Sequence, residues 1–338
     1  MTDLSSRVPR LTIVIPTLNR AYCVGRAVES ALSQTFPDLE IIVSNNGSTD
    51  ATREVLEKYR DSRLRMFHRD ETIPAEAHWN SLLPEVKGEF VLCLSDDDYL
   101  EPEFARRIIE LFDRSPDLSF AYSRCWWHYS DVLVPSLPGP EIESGPEFIK
   151  AYLAGKRAIC WCGCVIRTSD LRAIGPVPEG RIFGDVFYWS KLAFKGKVGC
   201  VSDLLSHYLF MGDNLSSAVP VLTWAQETKR FLDEMAAACI AHERADESTA
   251  RCLLADGSRY LARSTANQFI WCAIRGARNA DLLRALWKGM HYLAGDPKVW
   301  PRVLVAIVLP PKWQRKLILA AARRRARACQ EMKVPPSH

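Results

Sequence analysis

Short apolar runs alternate with amphipathic segments over the first 125 residues of the chain. Segments between the runs repeat apolar residues every three or four positions, as from Val24 to Leu32, and this spacing predicts helices. The runs themselves are typical of buried strands. The predicted strands are Leu11–Ile15, Leu39–Val43, Leu64–Phe67 and Phe90–Leu94. This alternation predicts an α/β, Rossmann-like fold with a mostly parallel sheet flanked by helices.

The pattern changes twice farther along the chain. From Ser123 to Tyr208, short predicted strands are mixed with many aromatic residues. After Pro220 only helical spacing is found, and it predicts three helices. They are Thr223–Ala241, Thr249–Arg275 and Ala280–Leu293. We therefore expect a domain over residues 1–220 and a helical C-terminal region over 221–338.

The charge of the chain is unevenly distributed. With 48% hydrophobic and 25% charged residues, the composition is that of a globular protein, and the net charge of +4 disfavours a dedicated nucleic-acid binder. From Lys298 onward there are ten Lys or Arg residues and one acidic residue, Glu331, so residues 1–297 carry a net charge of −5. A basic tail follows a mildly acidic body.

The basic tail can be interpreted in two ways. Residues 299–328 combine an apolar run at Val303–Leu309 with a basic amphipathic stretch at Trp313–Ala328, which suits an anionic membrane surface. The alternative is a C-terminal helix that packs on the domain and leaves its arginine face in water. We expect neither a signal peptide nor a transmembrane helix, because no apolar stretch is long enough. This favours the cytoplasm, with the tail on the inner face of the membrane in the first interpretation.

The eleven cysteines are interpreted as small apolar filler in a reducing compartment. Cys160, Cys162 and Cys164 alternate along one predicted strand, and alternation would point Cys162 away from the other two. A three-thiolate zinc site is therefore not expected there.

Polar clusters follow three of the predicted strands. They are Pro16–Arg20, Ser44–Ser48 and Ser95–Asp98. Ligands of doubly wound sheets bind beyond the carboxyl ends of the strands, so these clusters can face one crevice. Because three adjacent carboxylates repel one another, Asp96, Asp97 and Asp98 favour a divalent cation that also holds a diphosphate. A purely structural alternative has Asp98 capping the helix that begins near Pro102. The glycine-rich motifs that bind dinucleotides or nucleoside triphosphates are absent from the sequence.

The order of four motifs resembles that of family 2 glycosyltransferases. The motifs are Ile13–Arg20, Ala31–Phe36, Glu40–Asp50 and Lys87–Asp98, and the resemblance covers roughly residues 10–215. It implies a GT-A fold, with a nucleotide-sugar half at about 10–125 and an acceptor half at about 126–220. It also implies inverting, metal-dependent transfer from a UDP-, dTDP- or GDP-linked sugar to a saccharide or lipid-linked saccharide acceptor. Bacterial cell-surface polysaccharide or glycolipid assembly is the expected setting.

The resemblance assigns roles to individual residues. Those matching the nucleotide-sugar positions are Pro16, Thr17, Asn19, Arg20, Asn45, Asn46 and Asn80. Many members carry Asp where this chain has Asn45 and Asn46, which leaves the base open. The first acid of the usual Asp-x-Asp-Asp motif falls on Ser95. In this register Asp97 is the direct ligand of Mg²⁺ or Mn²⁺, with Asp98 beside it and Asp96 nearer the ribose. A shifted register pairs Asp96 with Asp98.

Two later segments complete the expected site. The segment Phe183–Trp189 resembles the family's acidic-then-aromatic element, which makes Asp185 the catalytic base. An N-cap role for the same residue is the alternative. In the closing segment, Leu209 and Met211 replace the family's frequent Arg and His, and His207 or Asp213 could substitute for that His. The aromatic residues near the site can stack on sugars or belong to the core; they are Trp126, Trp127, Trp161, Phe187 and Trp189.

Two rival functions follow from the same residues. A sugar-nucleotide-forming nucleotidyltransferase needs a glycine-rich basic loop after the first strand, which Pro16–Arg20 is not. A non-catalytic protein that binds nucleotide sugars is the rival from outside the enzymes, since the family's His is replaced at Met211.

Overall fold

The computed structural model describes residues 8–182, 184–210, 214, 218–241 and 247–331. These residues form two compact units. The first contains the described residues up to Trp126 together with Pro138–Gly145 and Ile159–Leu209. The second contains Trp127–Leu137, Pro146–Ala158 and the described residues from Phe210 onward. The chain passes between the two units several times before Phe210. The domain boundary near residue 220 stays a prediction.

The first unit begins with the predicted alternation of strands and helices. Its parallel strands are β1 (Leu11–Thr17), β2 (Leu39–Asn45), β3 (Leu64–His68) and β4 (Phe90–Cys93). Its helices there are α1 (Val24–Leu32), α2 (Thr52–Leu56), α3 (Ala75–Leu82) and α4 (Phe104–Arg114). Every residue of β2 and β4 is buried, because helices cover both faces of a parallel sheet. This half of the α/β prediction is confirmed.

Most of the remaining strands of the first unit run antiparallel to their neighbours. They are β5 (Tyr99–Leu100), β6 (Leu118–Tyr129, of which the last three residues belong to the second unit), β8 (Ile142–Ser144), β9 (Cys164–Arg167) and β10 (Lys197–Leu209). In the described residues the strand order is β3-β2-β1-β4-β9-β6-β10-β5, with β8 added on β10. Two further helices are α6 (Thr168–Ile174) and α7 (Gly184–Leu192). The sheet is thus mixed. Besides the first four strands, β6 and β10 also run in the same direction, because Ser119 lies beside Lys197 and Ser123 lies beside Ser206.

The strand register brings the polar clusters to one edge of this sheet. Thr17 at the end of β1 pairs with Asn45 at the end of β2. Val14 of β1 pairs with Cys93, the last residue of β4. The loops that follow these three strands therefore leave the sheet side by side, as the position of polar clusters after parallel strands predicts.

The second unit is mainly helical. Its elements are β7 (Val132–Pro135), which pairs with the end of β6, and the helices α5 (Gly145–Leu153), α8 (Val221–Ala241), α9 (Glu247–Ile274), α10 (Asn279–Leu293), α11 (Trp300–Val308) and α12 (Pro311–Glu331). Phe269 of α9, Leu293 of α10 and Val303 of α11 are buried in one core cluster. All three helices predicted after Pro220 are confirmed, with ends displaced by two residues or fewer.

One face of the basic tail packs against strand β7. Ala322 of α12 is buried against Val132 and Val134 of β7. Gln314 is 1% exposed, and its amide nitrogen donates to the carbonyls of Ala306 and Leu309 across the break between α11 and α12. The packed-helix interpretation therefore describes one face of the tail. No helix in the described part of the chain combines the length and the apolarity needed to cross a bilayer.

The prediction that Cys160, Cys162 and Cys164 alternate along one strand is wrong. Trp161–Gly163 form a 3₁₀ turn and β9 begins only at Cys164, so the side chains do not alternate as on a strand. A Cβ on Gly163 would lie 2.5 Å from Ser206 Oγ and 3.2 Å from Ser123 Oγ, which shows how tightly the turn is packed. As a result, the sulfur atoms of Cys125, Cys160 and Cys162 all lie within 4.8 Å of one another.

Candidate active site

The loop after β1 and the acidic loop after β4 meet at Asp96. Its carboxylate Oδ1 lies 3.8 Å from Arg20 Nε, and the Asp96 side chain is 13% exposed. Burial raises the pKa of Asp96 to about 6, although Arg20 and the backbone N–H of Leu18 favour the charged form. The structure thus brings the predicted residues Arg20 and Asp96 together in one crevice.

Asp97 and Asp98 are oriented differently although they are adjacent. Asp98 is 1% exposed, and its Oδ1 accepts the backbone N–H of Leu209 at 2.9 Å. Burial is the main cause that raises the pKa of Asp98 well above its ordinary value. Asp97 is 7% exposed, and its backbone carbonyl accepts Arg26 Nη2 at 2.8 Å. Arg26, which no sequence motif singled out, therefore holds the acidic loop in place.

The two asparagines at the end of β2 form hydrogen bonds with the backbone of neighbouring segments. Asn45 Oδ1 accepts the Ser48 N–H at 3.0 Å. Asn46 accepts the Ile73 N–H and donates to the Ile73 carbonyl, at 3.2 and 2.8 Å. An aspartate at position 46 could not donate this second bond. Gly47 has φ +71°, and a Cβ there would lie 2.6 Å from the Glu71 carbonyl carbon, so the predicted turn requires glycine.

The residues predicted around Asn19 lie at the same edge. Pro16 and Thr17 are the last residues of β1, and Thr17 is 3% exposed. Asn19 adopts φ +55°, a conformation that asparagine tolerates better than most residues, and its Oδ1 accepts the Thr49 N–H at 2.8 Å. Asn19 thereby ties the loop after β1 to the loop after β2.

Asn80 has both ends of its amide occupied by Val177. The side chain donates to the Val177 carbonyl and accepts the Val177 N–H, each at 2.8 Å. These bonds attach α3 to the segment that precedes α7. Asn80 therefore positions the loop before Asp185, and its assignment as a nucleotide contact stays a prediction.

Asp185 lies in the first turn of α7, as both sequence interpretations require. Burial raises the pKa of its carboxyl group, and the Val186 backbone N–H partly offsets this by favouring the charged form. A carboxylate at a helix N-terminus is also stabilised by the helix dipole. The combination keeps an ionisable, poorly hydrated carboxylate at the start of this helix.

The thiol of Cys93 shows that Asp185 and the acidic loop share a neighbourhood. Burial chiefly raises the pKa of Cys93 to about 12, and the charges of Asp185, Asp96 and Asp98 add to the effect. Cys93 ends β4, directly before the acidic loop. Three predicted carboxylates therefore act on one buried atom, although Asp185 is 87 residues away from Asp98 in sequence.

His207 is engaged inside the protein. Its Nε2 lies 2.8 Å from Glu101 Oε1, and its ring stacks on Tyr99 with centroids 4.0 Å apart. These contacts do not favour its predicted role as a substitute metal ligand. Asp213, Met211 and Phe183 lie outside the described residues.

The five predicted aromatic residues differ in how deeply they are buried. Trp189 and Phe187 are 1% and 5% exposed, as the core interpretation expects. Trp161 is half-buried and stacks on Tyr188, with ring centroids 6.3 Å apart. Trp126 is also half-buried, whereas Trp127 belongs to the second unit and stacks on Phe210.

Comparison with known proteins identifies relatives for part of the chain. Residues 12–169 match the model of glycosyl transferase family 2. Hyaluronan synthase of Pasteurella multocida is 37% identical over 120 residues, which are 35% of this chain and 12% of that enzyme. The chain thus aligns with a small part of that relative's length.

Two solved structures share the fold over nearly the whole chain. TarS 1–349 of S. aureus, in complex with UDP-GlcNAc, matches with a TM-score of 0.60 at 19% identity, covering 95% of this chain and 89% of that one. The mannosyltransferase PcManGT from Pyrobaculum calidifontis, in complex with GDP-Man and Mn²⁺, matches with a TM-score of 0.54 at 16% identity, covering 95% and 88%. At these identities the likeness concerns the fold.

Proposed function

We propose that the protein is an inverting, metal-dependent glycosyltransferase, and the match of residues 12–169 to the model of glycosyl transferase family 2 supports this. Its donor is a nucleotide-diphosphate sugar, and its acceptor is the hydroxyl of a saccharide or lipid-linked saccharide in surface polysaccharide or glycolipid assembly. The observation that carries the proposal is the contact of Arg20 with Asp96 of the acidic loop. The charges of Asp96, Asp98 and Asp185 also all raise the pKa of Cys93 at the end of β4, which supports one shared site.

The donor set of the acidic loop fits Mg²⁺ or Mn²⁺. Both ions prefer carboxylate oxygens and leave positions open for the oxygens of a diphosphate. Asp97 is the better candidate for the direct ligand, because Asp98 is 1% exposed and turns Oδ1 to the Leu209 N–H. Bound there, the ion would neutralise charge that develops on the departing diphosphate. Support from outside the chain is the Mn²⁺ in the PcManGT complex.

The chain's own residues supply the rest of the reaction. Asp185 takes the proton of the acceptor hydroxyl as that oxygen attacks the anomeric carbon, and the bond to the diphosphate breaks on the opposite face. A single displacement of this kind inverts the anomeric configuration. Arg20 and Asp96 hold the nucleotide end of the donor, while Asn46 and Asn80 keep the loops around it in place through Ile73 and Val177.

A donor panel tests the proposal directly. UDP-, dTDP- and GDP-sugars are each added to the full chain with and without Mn²⁺, and the thermal midpoint and donor hydrolysis are measured. We expect one nucleotide class to raise the midpoint in an Mn²⁺-dependent way, since a ligand stabilises the state it binds, and to be slowly hydrolysed. Binding without hydrolysis or transfer across the panel would instead favour the non-catalytic, sugar-nucleotide-binding alternative.

We also propose that the helical region meets an anionic membrane surface, where a lipid-linked acceptor would be found. On α10, Leu283, Trp287 and Met290 are 52%, 78% and 45% exposed, and their spacing places them on one face of the helix. On α12, Trp313 and Leu317 are also exposed, and Lys316 Nζ lies 4.8 Å from the Trp313 ring centroid. Exposed tryptophans beside lysines are typical of interfacial helices.

Replacing both exposed tryptophans should weaken membrane binding. We expect the Trp287→Ala/Trp313→Ala variant to partition onto anionic vesicles roughly tenfold less than the wild type, because two large apolar side chains no longer enter the interface. Co-sedimentation measures this, and Leu133→Ala, which removes another exposed apolar side chain, is the control. Equal wild-type binding to neutral and anionic vesicles, or none at low salt, would contradict the proposal.

A further inference from the structure

Three cysteine thiols and one carboxyl group form a buried cluster that sugar transfer does not use. Cys125, Cys160, Cys162 and Asp98 are 1%, 3%, 0% and 1% exposed. They come from β6, from the 3₁₀ turn before β9 and from the acidic loop, and all of these segments belong to the first unit. In the described part of the chain, this cysteine trio is the one set of three close metal-ligating atoms.

The spacing of the sulfur atoms suits a tetrahedral metal. Zinc–sulfur bonds of about 2.3 Å place two sulfur ligands about 3.8 Å apart. The three Sγ atoms lie within 4.8 Å of one another, so small side-chain rotations would close them on an ion. Three buried sulfur atoms from separate segments are thus close enough together to share one ion.

Asp98 is the fourth ligand of the site proposed below, because its carboxyl group is buried and interacts with this cysteine trio. Its Oδ1 is bound to the Leu209 N–H, but its buried Oδ2 has no hydrogen-bond partner among the described residues. The charge on Cys125 acts on the Asp98 carboxyl group, and the charge on Asp98 in turn acts on Cys160 and Cys162. A buried polar atom without a partner costs free energy, and coordination to a cation would remove that cost.

We propose that Cys125, Cys160, Cys162 and Asp98 bind one zinc ion. The three thiol protons, and the carboxyl proton where Asp98 carries one, are released to solvent as these groups bind the ion. The closed four-ligand site is of the structural kind. The ion joins β6 and the turn before β9 to the acidic loop, and so sets the position of Asp97, the neighbouring residue. The site goes beyond the proposed transferase activity, because it concerns a second metal with softer ligands.

Metal content of the full chain tests the proposal. The protein is produced in zinc-supplemented medium, gel-filtered without chelator and analysed by inductively coupled plasma mass spectrometry. We expect one zinc per chain, falling to background in Cys160→Ser and Cys162→Ser. Cys164→Ser, which changes a buried cysteine outside the cluster, should keep its zinc. Asp97→Asn should keep it too, because that carboxylate serves the diphosphate metal.

Cobalt substitution reports the ligands without depending on the stability of a variant. Refolding the wild type with Co²⁺ should produce a thiolate-to-cobalt charge-transfer band and the intense visible bands of tetrahedral cobalt.

In chelator competition, Asp98→Asn should bind zinc at least about tenfold more weakly. A wild type that takes up neither ion, or that contains a disulfide between two of the three cysteines, would overturn the site. Unchanged affinity in Asp98→Asn would overturn the assignment of the fourth ligand. None of these readouts depends on sugar transfer.

Discussion

The Asp97→Asn variant should transfer sugar about a thousandfold more slowly than the wild type while remaining folded. The change removes the charged ligand proposed for the diphosphate metal but keeps the shape of the side chain. Metal ions supply several kcal/mol of charge stabilisation to such a transition state, and about 4 kcal/mol corresponds to three orders of magnitude in rate. The Arg26 contact to the Asp97 carbonyl is a backbone contact and survives the substitution.

The measurement compares transfer rates over a range of Mn²⁺ concentrations. A lost ligand should raise the Mn²⁺ concentration needed for half-maximal activity as well as lower the plateau. Asp70→Asn changes an exposed aspartate of the same unit and should behave like the wild type. Near-normal turnover of Asp97→Asn would remove Asp97 from the metal site and favour the shifted register of Asp96 with Asp98.

Asp185→Asn should lower the transfer rate by about 10²- to 10⁴-fold, the range that a general base contributes. An amide cannot accept the hydroxyl proton at neutral pH, yet it fits the same space at the start of α7. Donor affinity should be nearly unchanged, because Asp185 is proposed to act on the acceptor. Asp170→Asn, in the first turn of α6, is the matched control. A variant with near-wild-type kcat would show that another group is the base.

The pH profile provides a second check on Asp185. A general base works only when deprotonated, so the rate should fall as the pH falls through its pKa. Since burial raises the pKa of Asp185 above its ordinary value of 3.8, the acid limb of kcat/KM should lie above that of an exposed aspartate. The acid limb of the pH profile should be altered in the Asp185→Asn variant and unchanged in the Asp170→Asn variant.

The sequence alone determined the alternating half of the fold and the edge where the site lies. Apolar runs such as Leu39–Val43 are buried on both faces of the sheet, and hydrophobic periodicity reports that directly. Because parallel strands end at a common edge, polar residues at those ends could be grouped without coordinates. The same reasoning found the three helices after Pro220, whose apolar faces are regular.

Only the tertiary structure decided which polar side chains can contact a ligand and which are already hydrogen-bonded within the protein. Asn46 and Asn80 matched binding positions in sequence, but their amides pair with the backbone of Ile73 and Val177, which lie 27 and 97 residues away along the chain. Likewise, alternation predicted that Cys162 points away from Cys160, whereas a 3₁₀ turn packed against Ser206 brings both to Cys125. Hydrophobic periodicity describes one segment of the chain at a time. Contacts between distant segments depend on the conformations of the loops that join them, and the periodicity of a segment carries no information about those conformations.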